Sequence, residues 1–223
     1  MDKPKILTVL DLGKSPYGST WELQKNLHTR RLQNEIGDTL ILVEHFSVYT
    51  LGKNADAHHL LASKEYLKSR GIELFKVDRG GDITYHGPGQ LVGYPIFNLK
   101  EHRESVGWFV NTIEEVLIRT LSTFGIQAAR LPHLTGVWVG ENKIAAIGMR
   151  VSRWVTMHGF ALNVSTDLSY YSGIIPCGIA SKGVTRMLDL NPAVEWQAVQ
   201  NEVIKQFVEL FGFENFILTK TTN

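Results

Sequence analysis

Cys177 is the only cysteine in the chain, and it stands in the run Ile174-Ile175-Pro176-Cys177-Gly178-Ile179. A lone cysteine has no internal disulfide partner, and its ordinary role is that of a small buried hydrophobe. Its neighbours argue for chemistry instead. Pro176 and Gly178 put the thiol in a turn, where it can project and where nearby N–H groups can face a developing oxyanion. An unassisted thiol ionises near pH ~8.5 and is only slightly thiolate at neutral pH, so a nucleophilic role needs a base or a cation beside it. Two kinds of partner are present. His86 or His158 can form a Cys–His pair. Lys143 opens the apolar segment Lys143 to Val151, just past a turn. Burial lowers a lysine pKa and a thiolate raises it, so such an amine can exchange one proton with the thiol at little cost. The bland alternatives are hydrogen-bonded structural histidines and a solvated hairpin lysine. The eight histidines show neither H-x-x-x-H nor H-E-x-x-H spacing, and one cysteine cannot form a thiolate cluster, so no metal site is expected.

The segment Arg79-Gly80-Gly81-Asp82-Ile83-Thr84-Tyr85-His86-Gly87-Pro88-Gly89 concentrates glycine between an arginine and a histidine. Glycine lets backbone approach a ligand with no Cβ in the way, and Pro88 stiffens one end. A tight hairpin would use the same residues. Arg79, Tyr85 and His86 favour a ligand wall. Neither G-x-x-x-x-G-K-S/T nor G-x-G-x-x-G is present, so the loop is not a phosphate cradle.

The elements that must position these residues follow from periodicity. Strands are expected over residues 5–12, Thr39 to Glu44, 73–78, from about Gln90 to 98, and 154–164. The Gly-rich turn is expected at the sheet edge, between a strand ending at Asp78 and the one starting near Gln90. Residues 136–140 and 143–151 read as a hairpin turning at Glu141-Asn142. Ser19 with Glu22 reads as a capping box opening a helix that runs to about Gly37. A short helix is expected from Ser63 to Gly71. Val106, Phe109, Val110, Ile113, Val116, Leu117, Leu121 and Phe124 give a helix stopped by Gly125. Asn191-Pro192 reads as the start of a last helix whose apolar face is Trp196, Val199, Val203, Phe207 and Leu210. Strands and helices alternate irregularly, which predicts an α+β fold, a mixed β-sheet with flanking helices.

With 223 residues, 43% hydrophobic and 20% charged, the chain is expected to form one domain over 1–223 with a substantial core. A net charge of +1 gives no footprint for nucleic acid. Apolar runs are too short for a membrane span, and the N-terminus reads as a strand rather than a secretory signal, so a cytoplasmic location is expected.

Taken together, the chain resembles the lipoyl(octanoyl) transferase family. The resemblance rests on Tyr49 to Gly52, Arg79 to Ile96, Thr135 to Val151, Met157 to Val164 and Pro176 to Ile179. It implies a fold like the catalytic domain of biotin and lipoate protein ligases. It implies transfer of an octanoyl group from octanoyl-acyl carrier protein to a lysine of lipoyl domains, those of 2-oxoacid dehydrogenases and the glycine cleavage H protein, with no cofactor. Cys177 would carry the acyl thioester and Lys143 would lower its pKa. The family's substrate-binding segments fall on Arg79, Gly80, Gly81, Asp82, Ile83, Thr84, Tyr85 and His86, on Ala146, Ile147 and Gly148, and on Gly159, Phe160 and Ala161. Two positions depart from the family pattern: Ser47 where proline is usual, and Arg186 where a small serine is usual.

Three other readings remain at this level. An ATP-dependent lipoate ligase on the same fold would not need Cys177. A cysteine hydrolase would rely on His86 or His158. A non-catalytic acyl-carrier-binding protein would form no covalent adduct. Between residues 130 and 190, six cations (Arg130, Lys143, Arg150, Arg153, Lys182, Arg186) stand against three anions (Glu141, Asp167, Asp189). That excess suits docking of an acidic carrier.

Overall fold

A computed structural model describes residues 4–175 and 182–221, so Cys177 and Gly178 lie outside the described residues. The strands are β1 (Ile6–Ser15), β2 (Thr39–His45), β3 (Val48–Leu51), β4 (Glu73–Lys76), β5 (Ile83–His86), β6 (Gln90–Ile96), β7 (Ala129–Leu131), β8 (Leu134–Val139), β9 (Asn142–Ser152), β10 (Val155–Asn163), β11 (Gly183–Val184) and β12 (Asn215–Lys220). The helices are α1 (Tyr17–Leu32), α2 (Lys64–Ser69), α3 (Val106–Thr123), α4 (Met187–Leu190) and α5 (Trp196–Phe211). Among the described residues, the larger sheet runs β12-β1-β2-β6-β10-β9-β8-β7, with β11 added to β9, and a smaller sheet runs β4-β3-β5. Parallel pairs (β1 with β12 and β2) and antiparallel pairs (β6 with β2 and β10, β9 with β8 and β10) share the large sheet, so the mixed α+β architecture expected from the sequence is present.

Each face of the large sheet has its own core. On one side Phe109, Ile113, Val116 and Leu117 of α3 and Val199, Val203 and Phe207 of α5 pack with Leu40, Leu42, Leu91, Phe160 and Leu162. On the other, Leu27 of α1 packs with Ile41, Val43, Val92, Tyr94, Met157 and Ala161. The alternation along β2 and β10 sends successive side chains to opposite cores, which is why Leu40 to Val43 and Phe160 to Leu162 are runs of apolar residues with no polar alternation.

Four local expectations change. The helix α1 begins at Tyr17, not at a Ser19 cap. Pro16 is its N-cap, Ser19 Oγ donates to the Pro16 carbonyl at 3.1 Å, and Glu22 pairs with Lys25 instead of closing a box. It also stops at Leu32, short of Gly37. The last helix begins at Trp196, because Asn191 Oδ1 accepts from Ala193 N in a local turn and its Nδ2 donates to the Phe124 carbonyl. In the β8–β9 hairpin Val139 pairs with Asn142, so the turn is Gly140-Glu141. The Gly-rich segment is not a plain turn at the edge of the main sheet. The preceding strand ends at Lys76, and Ile83 to His86 form the buried strand β5 against β3 of the second sheet.

Candidate active site

The second sheet and the Gly-rich segment close over β9 and β10. Gly80 N donates to the Met149 carbonyl at 2.8 Å, tying the segment to β9. A Cβ at Gly148 would lie 3.0 Å from the Gly80 carbonyl oxygen and 3.2 Å from Arg79 Cδ, so bare backbone is what permits the approach. Asp78, just before the segment, clamps the same end. Its Oδ1 accepts from His158 Nε2 at 2.8 Å and its Oδ2 from Arg150 Nη1 at 2.5 Å.

Between these layers lies a cleft with about 480 Å³ of empty space, counting the open solvent at its mouth. Its floor is small: Ala146 faces Ala161 and Gly148 faces Gly159 across the β9–β10 pairing. Arg79, Gly81, Asp82, Ile83, Thr84 and His86 border it from the glycine segment, and Ile147 and Phe160 contribute where β9 and β10 pair. Of the residues predicted to bind substrate, Gly80 and Tyr85 do not line the cleft. Gly80 is the backbone tie, and Tyr85 stacks on Tyr170 with ring centroids 5.0 Å apart. Tyr17 and Tyr94 line it although sequence reasoning passed them over, and His158, weighed as a base or as a structural histidine, lines it too. Nothing local marks Tyr17, which arrives from α1, whereas Tyr94 stands on β6 just after the glycine segment, where it reads as one more apolar strand residue.

Lys143 stands beside this cleft. It is 8% exposed, buried on β9 rather than solvated on a hairpin. It lines a smaller cavity with Thr84, Ala145, Ala146, Asn163, Tyr171 and Val184, and Thr84 and Ala146 are shared with the main cleft. Its Nζ sits 4.8 Å from the centre of the Trp138 ring, a cation–π contact. Its carbonyl accepts from Thr185 N at 3.0 Å, where β11 rejoins the sheet just after the undescribed residues around Cys177.

Arg79 is buried and donates through Nη2 to the Thr50 carbonyl at 2.7 Å and Thr50 Oγ1 at 2.9 Å, and through Nη1 to the Gly80 carbonyl at 3.0 Å. It therefore braces β3 and the glycine segment as well as bordering the cleft. Burial lowers the His86 pKa to about 3, and burial outweighs Asp78 to hold His158 at about 4. Both rings are neutral at physiological pH. His86 Nδ1 lies 2.8 Å from Gln90 Oε1, and a neutral ring protonated there donates to it. His158 has φ 61° inside a strand, a conformation that costs about 1–2 kcal/mol for a non-glycine residue. Its N–H is satisfied by Gln24 Oε1 of α1 at 3.0 Å.

The two departures sit on the periphery. Ser47 Oγ and the Tyr85 hydroxyl are 3.2 Å apart, a bond proline could not supply. Arg186 donates to Asp189 at 2.8 Å and to the Thr166 carbonyl at 2.9 Å.

Solved structures with the same arrangement are ligases of lipoate and biotin. A lipoate-protein ligase A bound with ATP superposes with a TM-score of 0.77, covering 98% of this chain and 90% of that one at 20% identity. Biotin protein ligase from Aquifex aeolicus gives 0.52 over 94% of this chain and 70% of that one at 14% identity. The fold is thus that of the lipoate and biotin protein ligase catalytic domains. Residues 16–208 match the family model described as lipoyl protein ligase A/B catalytic domain, and the chain belongs to that family. Among its relatives, an octanoyltransferase of Solibacter usitatus is 50% identical over 91% of this chain and 92% of its own length. Another, from Alkaliphilus metalliredigens, is 48% identical over 93% and 96%.

Proposed function

We propose that this chain is an octanoyltransferase, moving an octanoyl group from acyl carrier protein to a lysine of a lipoyl domain through a thioester on Cys177. It is an acyltransferase, as its relatives named octanoyltransferase are. The observation that carries the mechanism is a small-residue cleft that shares Thr84 and Ala146 with the adjacent cavity holding a buried lysine. A floor of Ala146, Gly148, Gly159 and Ala161 suits an unbranched acyl chain, each buried methylene of which contributes about 0.8 kcal/mol.

In the first half-reaction the Cys177 sulfur attacks the octanoyl thioester carbonyl and the carrier thiolate leaves. The Lys143 amine takes the proton of the Cys177 thiol and returns it to the departing sulfur. In the second, the acceptor amine attacks the enzyme thioester. The bond to Cys177 sulfur breaks, an amide forms, and Lys143 passes the amine proton to the released sulfur. Exchange of one thioester for another is nearly balanced, and amide formation is downhill, so the reaction needs no ATP. The neutral, already hydrogen-bonded His86 and His158 support wall and scaffold roles over a Cys–His pair.

The test is transfer from octanoyl-carrier protein to an isolated lipoyl domain with ATP omitted. Octanoylated lipoyl domain is the expected product. Transfer only when free octanoate and ATP are supplied would make the chain a ligase instead.

A further inference from the structure

Behind the cleft lies a buried polar chain that the reaction above does not use. Gln90 is fully buried, and Asn163 is 3% exposed. Gln90 Oε1 lies 2.8 Å from His86 Nδ1, and its Nε2 lies 2.9 Å from Asn163 Oδ1 and 3.1 Å from the Tyr85 carbonyl. Asn163 Nδ2 in turn donates to the Thr185 carbonyl at 3.1 Å, and Thr185 N donates to the Lys143 carbonyl at 3.0 Å. The chain thus starts on the cleft wall at His86 and ends on the backbone of Lys143. Its last link, Gly183 to Thr185, follows directly on the segment that carries Cys177. A two-residue strand has little pairing of its own. A side-chain amide with fixed partners on both ends is well suited to hold it, because leaving either end unmet in a buried setting is costly.

We infer that Asn163 is a positioning residue: gripped by Gln90, it fastens the Gly183–Thr185 segment to Lys143 and so sets the relation between that amine and the thiol-bearing segment. The inference rests on the transfer reading above. Asn163 touches no reacting atom in this scheme, and its effect falls on the rate of acylation rather than on donor binding.

The experiment mixes wild type, Asn163→Ala, Asn163→Asp and Thr185→Pro with octanoyl-carrier protein. It follows octanoyl-adduct formation by mass, and the pH dependence of Cys177 alkylation by iodoacetamide. Asn163→Asp keeps the acceptor for Gln90 and, when ionised, lacks the donor to Thr185. Thr185→Pro deletes the N–H to Lys143 while keeping the Asn163 and Gln90 side chains, which covers the case of Asn163→Ala failing to fold. Expected is acylation slowed about tenfold or more in the variants that fold, with donor KM within about twofold of wild type. The alkylation midpoint should rise by roughly one pH unit. Wild-type acylation rates and an unmoved alkylation profile in the folded variants would overturn the role of Asn163 alone. A wild type that forms no adduct would overturn the transfer reading, and the role of Asn163 with it.

Discussion

Burial sets the charge of the histidines around the cleft, and that has a consequence for stability. His45, His86 and His158 are held at about 4, 3 and 4, with burial the largest cause in each, and His28 is lowered too. Unfolded, each would titrate near ~6.5. The folded protein therefore refuses protons that the unfolded chain accepts. Stability should be fully present above pH ~6.5 and fall as pH drops below it, by up to about 1.4 kcal/mol per pH unit for each such histidine. Urea unfolding between pH 7.5 and 4.5 would check this, and His86→Gln should make the slope shallower. At Lys143 the expectation is kinetic. Lys143→Ala should lower acylation about 10²- to 10⁴-fold, and Lys143→Arg should not rescue it, because a guanidinium cannot shuttle the proton. Single-turnover acylation rates measure both. Lys143 was visible in the sequence because an amine among apolar strand residues is out of place. Tyr17 was not, since only long-range packing brings α1 to the cleft, and Tyr94 was not, since its position in an apolar strand looks like core.

At the scale of elements, two glycines facing each other across β9 and β10 separate loop placement from strand packing. A Cβ at Gly148 would meet the Gly80 carbonyl oxygen at 3.0 Å, a contact the loop can relieve by moving. A Cβ at Gly159 would sit 2.1 Å from the Gly93 carbonyl oxygen and 2.7 Å from Pro95 Cδ, inside β6 itself. Gly148→Ala should thus leave stability within about 1 kcal/mol and slow transfer, whereas Gly159→Ala should cost about 1–3 kcal/mol or more by forcing β6 away. Unfolding midpoints set beside transfer rates test the contrast. Long periodic elements were legible: α3 starts at its Ser105 cap and ends before Gly125, and β2 spans the expected apolar run. The strand β5 was hidden because its four residues lie between glycines that read as a turn, and its pairing partner β3 is more than thirty residues earlier. The Ser19 box failed for a related reason: Pro16 and Tyr17 start the helix one turn sooner, and Tyr17 is fixed by packing against His45, Phe75 and His86.

At the scale of the molecule, the cleft is a seam between two sheets, and the charge around it is less one-sided than the chain order suggests. Arg130 pairs with Glu114 and Glu115, and Arg150 with Asp78, all acids from outside the 130–190 span; Lys182 pairs with Glu141 and Arg186 with Asp189. The cation excess counted along the sequence is offset in space, so under the proposed function donor selectivity would rest mainly on the fit of the acyl chain. The central claim is that this seam delivers an octanoyl thioester to Cys177. Intact-mass measurement after mixing the protein with octanoyl-carrier protein, without an acceptor, tests it most directly. The account predicts one added octanoyl group on wild type, absent in Cys177→Ala and discharged on adding a lipoyl domain. A wild-type protein that acylates the lipoyl domain while never gaining that mass would contradict it.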